Sequence, residues 1–119
     1  MYQHDVIKYM ANLFEVVDPR GIPIYCSVDQ WNEHIAISRN EDGLNIDNNW
    51  KDLVIRTIEN PVILAQDKDF SDRNVYYYHP GSSAYYMKVV IQIRRNIGRV
   101  ITAFETNNVK SGERLLWPT

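Results

Sequence analysis

One cysteine, Cys26, in 119 residues excludes an internal disulfide. It sits in an apolar alternation, where a small buried residue is a better reading than a nucleophile or a ligand. There is no Gly-rich phosphate loop, no Gly-x-Ser-x-Gly elbow, no internal repeat and no low-complexity segment. The three histidines, His4, His34 and His79, have no ligand-like spacing, and no Cys/His pair stands at zinc spacing. A metal enzyme is therefore disfavoured and no cofactor is expected, although acidic residues could still hold a hard cation. No apolar run approaches the length of a membrane span and no signal peptide is visible. The expected site of action is the cytoplasm, away from membranes.

Charge of one sign is scarce too. The formal net charge is −2, which does not advertise nucleic-acid binding. The distribution says more than the total. Residues 1–59 carry 5 Lys/Arg against 10 Asp/Glu, a net of −5, whereas residues 60–119 carry 8 against 5, a net of +3. The positive half permits an anionic substrate, but charged residues usually just solvate a surface. Hydrophobic residues make up 45% and charged residues 24%, a globular balance that argues against global disorder. The length suits a single domain over residues 1–119.

The pattern along the chain predicts helices first and strands later. Residues 2–11 suit a short helix or a loose arm. Segments 12–17 and 22–27 flank Asp18, Pro19, Arg20 and Gly21, whose order suits a type I turn in a small N-terminal hairpin. Ser27 and Gln30 fit a capping box, with a helix over 28–38. There Trp31, His34, Ile35 and Ser38 fall at i, i+3, i+4 and i+7 and share a face. A second helix, capped by Asp47 or Asn48, runs to about Glu59 with Trp50, Leu53, Val54, Thr57 and Ile58 on its apolar face. Pro61 ends it. Segments 62–66 and 75–79 read as strands, and residues 62–106 as a four-stranded antiparallel meander. Leu115, Leu116 and Trp117 should dock on the core.

The strongest element is a hairpin over 85–106, two β-branched and aromatic arms around a polar break containing Gly98. Pairing Ile91 with Ile101 and Val89 with Ala103 buries Met87, Val89, Ile91 and Ile93 on one face. Tyr86, Lys88, Val90 and Gln92 then share the other face with Val100, Thr102 and Phe104. That second face is either an ordinary half-wet sheet surface or a reactive one. His34 has two readings as well. It is a core histidine satisfied by a backbone carbonyl, which the spacing favours, or a catalytic histidine at the core edge.

Trp31, His34, Ile35 and Arg39, then Thr57, Ile58 and Pro61, then Tyr76 and Tyr77, then Lys88, Val89 and Val90, then Val100 to Phe104, resemble in order and spacing the barnase–EndoU–colicin–RelE-like (BECR) nucleases of phage and toxin contexts. The likeness spans roughly residues 13 to 117. It implies an α+β fold with N-terminal helices packed on a four-stranded antiparallel sheet. It also implies metal-independent cleavage of RNA. That chemistry needs a base for the 2′-hydroxyl, an acid for the leaving oxygen and fixed donors for the charge on phosphorus.

His34 is the best proton shuttle, since an imidazole titrates near neutrality. Lys88 and Arg39 are candidates to stabilise charge, and Thr102 and Tyr86 to bond phosphate oxygens or stack on a base. Tyr77, His79 and Arg99 are the substrate-binding candidates, with His79 a second acid/base candidate. Relatives often carry Arg-His-Pro-Glu after this helix, where this chain has Arg39, Asn40, Glu41 and Asp42, and an amide does not titrate. The alternatives are a catalytically inactive binding module on the same fold and, more distantly, a DNA-directed nuclease. An active ribonuclease would imply an antitoxin or immunity protein as a partner.

Overall fold

The computed structural model describes residues 12–35, 48–81 and 85–118. The segments 2–11 and 36–47, with Ser38, Arg39 and Asn40, lie outside them.

β1 (Asn12–Val17) and β2 (Pro23–Ser27) form the expected hairpin. Gly21 N–H donates to the Asp18 carbonyl at 3.0 Å, and Gly21 takes a φ of 88°, which suits a residue without a Cβ. The Asp18 carboxylate accepts from the N–H groups of Arg20 and Ile22 at 2.9 and 3.0 Å, so the aspartate itself folds the turn.

Ser27 Oγ accepts from Gln30 N–H at 3.0 Å and starts α1 (Val28–Gln30). The predicted α-helix does not continue. Trp31–Ile35 is a π-helical turn. Its wider turn keeps Trp31 and Ile35 on one buried face but swings the i+3 position away, so His34 is exposed rather than level with them. The long helix α2 (Asn48–Glu59) agrees with its periodicity. Trp50, Val54, Thr57 and Ile58 are buried, and Thr57 Oγ1 donates to the Leu53 carbonyl at 2.8 Å, which satisfies its hydroxyl in the core.

β3 (Ile63–Gln66), β4 (Arg73–Tyr78), β5 (Tyr86–Arg94) and β6 (Ile97–Thr106) make the antiparallel meander. The expectation of helices on a four-stranded antiparallel sheet is nevertheless wrong. The sheet is mixed and seven-stranded, in the order β1-β2-β6-β5-β4-β3-β7. Two pairings extend the meander. β2 joins β6 in parallel through Ile24–Gly98 and Tyr25–Arg99. Gly98 permits this approach, because a Cβ there would lie 2.8 Å from Ile24 Cγ1 and 2.9 Å from Ile91 Cγ2. At the far edge the tail becomes β7 (Arg114–Trp117) on β3. Leu116 and Trp117 pack on the core, while Leu115 is 56% exposed.

The β5–β6 register also differs from expectation. Val89 pairs with Ala103, but Ile91 pairs with Val100 and not Ile101. A β-bulge on β6 makes Ile101 the extra residue, turning Val100 into the core and Ile101 to the opposite face with Val90. Gln30 Nε2 donates to the Ile101 carbonyl at 2.6 Å, so the capping glutamine holds the bulge instead of reaching back to its own helix. The hairpin turn is Arg95–Asn96, both at positive φ (55° and 61°), with Gly98 already in the strand.

One face of the sheet carries the main core, where α2 and the π-helical turn cover Leu64, Tyr76, Met87, Val89, Ile91, Val100 and Ala103. The second face carries a smaller cluster around Ala65, Val75, Tyr77 and Val90.

Candidate functional site

The second face collects most of the chemically capable side chains. Successive cross-strand rows along β5 and β6 are Tyr86–Thr106, Lys88–Phe104, Val90–Thr102 and Gln92–Arg99. Side chains of one row face each other, and the next row is two residues away.

In the Lys88 row, Lys88 Nζ lies 2.9 Å from Glu113 Oε2, with side-chain exposures of 8% and 1%. Tyr77 OH donates to the other carboxylate oxygen, Oε1, at 2.6 Å. Lys110 N–H donates to the Tyr77 hydroxyl at 3.3 Å, so the segment between β6 and β7 lies over this group. Burial and the Glu113 contact both push the Tyr77 phenol above its ordinary value. The ammonium stands 5.2 Å from the Tyr77 ring centroid and 5.8 Å from that of Phe104. Lys88 thus has its charge answered by Glu113, and that carboxylate is bonded on both oxygens and shut off from solutes.

Next to this group the rings of Tyr77 and Tyr86 meet edge to face at 6.0 Å, and those of His79 and Tyr86 at 5.2 Å. Tyr77, His79, Tyr86 and Lys88, scattered over twelve positions of sequence, are therefore one neighbourhood. His34 and Thr102 form a second. The π-helical turn runs beside β6, and Thr102 Oγ1 donates to the His34 carbonyl at 3.4 Å. His34 is exposed and Thr102 half-buried. Thr102 lies one row from Lys88, so the two neighbourhoods adjoin. Arg99 stands one row further toward the hairpin tip, where its Nη2 donates to Gln92 Oε1 at 3.1 Å. Arg39 is outside the described residues. Among those residues no three His, Cys, Asp or Glu side chains converge as a metal site would require.

Sequence reasoning missed Glu113, which sits in a polar tail with nothing local to announce its partners. It also missed a second buried cluster on the main-core side. There Asp18 Oδ2 accepts from Tyr76 OH at 2.7 Å and from Arg20 Nη2 at 2.8 Å, and the same guanidinium nitrogen reaches Asn74 Oδ1 at 2.9 Å. Burial raises the Asp18 carboxyl, but the donors Tyr76, Ile22 N–H and Arg20 outweigh it and hold the group below the usual carboxylate range. This cluster ties the β1–β2 turn to β4. Burial pushes the Cys26 thiol up to about 12, which leaves it an inert core residue.

No protein-family model, no curated protein and no solved structure matches the chain. No helix among the described residues is long and apolar enough to cross a membrane.

Proposed function

We propose that the protein is a metal-independent endoribonuclease that cleaves RNA by transesterification, a toxin-like domain with His34 as its acid/base group. One observation carries the reading. The histidine is exposed, at the edge of β6, in contact through its backbone with a hydroxyl on the face that also bears Tyr86, His79 and Arg99. In this scheme His34 takes the 2′-hydroxyl proton, the 2′ oxygen bonds to phosphorus, and the P–O5′ bond breaks. The proton returned to the 5′ oxygen comes from the imidazolium or from His79. Tyr86 offers a hydroxyl donor to the phosphate, Thr102 offers one by giving up its bond to the His34 carbonyl, and Arg99 is an exposed cation on the same face. Lys88, paired with Glu113 and largely buried, takes no direct part in this scheme. Such an activity would be exercised on cytoplasmic RNA and held in check by an antitoxin or immunity protein.

The second reading is a non-catalytic binding module. It is favoured by the buried Lys88–Glu113 pair, which leaves the ammonium no free charge for a transition state. Incubating the purified protein with total RNA in EDTA, beside His34→Ala and Thr102→Ala, separates the two. Cleavage in EDTA that His34→Ala abolishes supports the nuclease and removes a metal-dependent DNA nuclease from consideration. Intact RNA with the parent protein, or full activity in both variants, refutes the assignment.

A further inference from the structure

At the hairpin end of the second face, four strands contribute one continuous row. Glu15 pairs with Tyr25, Tyr25 with Arg99, and Arg99 with Gln92. Paired residues on neighbouring strands about 4.8 Å apart point to the same side, so an aromatic ring stands between a carboxylate and a guanidinium. Two adjoining hollows lie along this row. A groove of 660 Å³ is lined by Tyr25, Gln92, Arg94, Arg95, Ile97 and Arg99. A smaller hollow of 190 Å³ is lined by Glu15, Pro23, Ile24, Tyr25 and Ile97. Tyr25 and Ile97 belong to both. The groove falls in the range of about 300–1,000 Å³ typical of small-ligand sites.

The two hollows differ in chemistry. Three arginines line the first. Asp72, outside the lining, accepts from Gln92 Nε2 at 3.0 Å and lies 3.3 Å from Arg94 Nη2, so Arg94 is already paired and Arg95 and Arg99 are the lining cations left for a ligand. The second hollow is a mainly apolar slot whose walls are a half-buried tyrosine, a proline and two isoleucines, with Glu15 at one side. Oxyanion binding beside a flat apolar slot is the pattern of a phosphate with its base. A carboxylate-rich peptide would use the guanidiniums and leave the slot idle. Glu15, beyond the ring, repels a phosphate and accepts from base N–H groups, which gives the site a direction.

We infer that the Tyr25–Arg99 row is a nucleotide-binding subsite. It seats one residue of a single-stranded RNA with its phosphate on Arg95 and Arg99 and its base stacked on Tyr25. This deepens the nuclease reading by naming where the strand is held away from His34. The subsite needs no catalysis, so it is tested with an uncleavable strand. The probe is a fluorescein-labelled oligothymidylate hexamer, which lacks the 2′-hydroxyl, with binding read by fluorescence anisotropy. Tyr25→Ala is expected to weaken binding about 5- to 150-fold, the range spanned by one stacked base. Arg99→Gln should weaken it and also flatten the dependence of log K on log salt by about 0.7, one phosphate contact on a single strand. Circular dichroism and thermal melts identify any variant that has lost its fold, and Arg95→Asn, at a turn position that favours asparagine, tests the same groove without touching a strand. Parent-like binding by folded Tyr25→Ala and Arg99→Gln overturns the subsite even if RNA is cleaved. Weakened binding by these variants upholds it even if RNA is left intact, in which case only the nuclease reading fails. No detectable binding by the parent overturns the subsite.

Discussion

Replacing Glu113 with alanine would strand two groups. The Lys88 ammonium, 8% exposed, would lose its counter-ion, and the Tyr77 hydroxyl would lose its acceptor. Removing one partner of a buried ion pair costs about 3–5 kcal/mol, chiefly because the remaining charge is left without compensation. Lys88 keeps 8% of its side-chain surface open to water, so the lower figure applies, about 3 kcal/mol. For a domain of this size that corresponds to a fall in Tm of very roughly 10–15 °C. Urea unfolding followed by tryptophan fluorescence reads the loss as a lower midpoint at unchanged slope. Glu113→Gln keeps an acceptor for Tyr77 and should cost less. Lys88→Met combined with Glu113→Leu should recover the part of the loss due to the stranded charge, leaving the cost of the Tyr77 hydroxyl without its acceptor. A loss below about 1 kcal/mol in Glu113→Ala, or a double variant whose cost is the sum of the two single ones, would show that the pair is not coupled and refute the reasoning.

Other expectations concern the frame around the site. Asp18 is held below its ordinary value, so its contribution is complete above that ordinary value and is lost as pH falls through the lower folded one. Asp18→Asn should therefore unfold at lower urea near neutral pH and show a shallower acid-induced loss between about pH 5 and pH 2. Gly98→Ala would press a methyl against two buried isoleucines and should cost about 1–3 kcal/mol by chemical denaturation. Asn96→Gly relieves a positive φ in the hairpin turn and should stabilise by about 0.5–1 kcal/mol without altering oligonucleotide binding.

Elements set by near neighbours in the chain are legible in its sequence. The hairpin turn at Asp18–Gly21, the Ser27 cap, the length and buried stripe of α2, and the meander of β3 to β6 all follow from patterns a few residues long. What failed depended on partners distant in sequence. The bulge at Ile101 requires a glutamine amide 71 positions away, and it reverses which of Val100 and Ile101 is buried. The extension to seven strands rests on Gly98 admitting β2 and on the open edge of the meander at β3 pairing with the tail. A π turn in place of an α turn moved His34 out of the apolar stripe, a difference of hydrogen-bond register that side-chain spacing does not encode.

The same division holds for the candidate site. The residue types able to do chemistry, His34, Thr102, Lys88, Tyr77, Tyr86, His79 and Arg99, were visible in the chain as types. Whether each charge is free or spent was not, because ion pairing is decided by which strands lie side by side. The sequence alone determined six of the seven strands, the long helix and, outside the β6 bulge, the alternation that divides each strand between two faces, since those depend on neighbours one to four residues apart. Only the tertiary structure decided that Glu113 neutralises Lys88 and that Tyr25 stands between Glu15 and Arg99. Those contacts exist through packing between segments that share no local pattern.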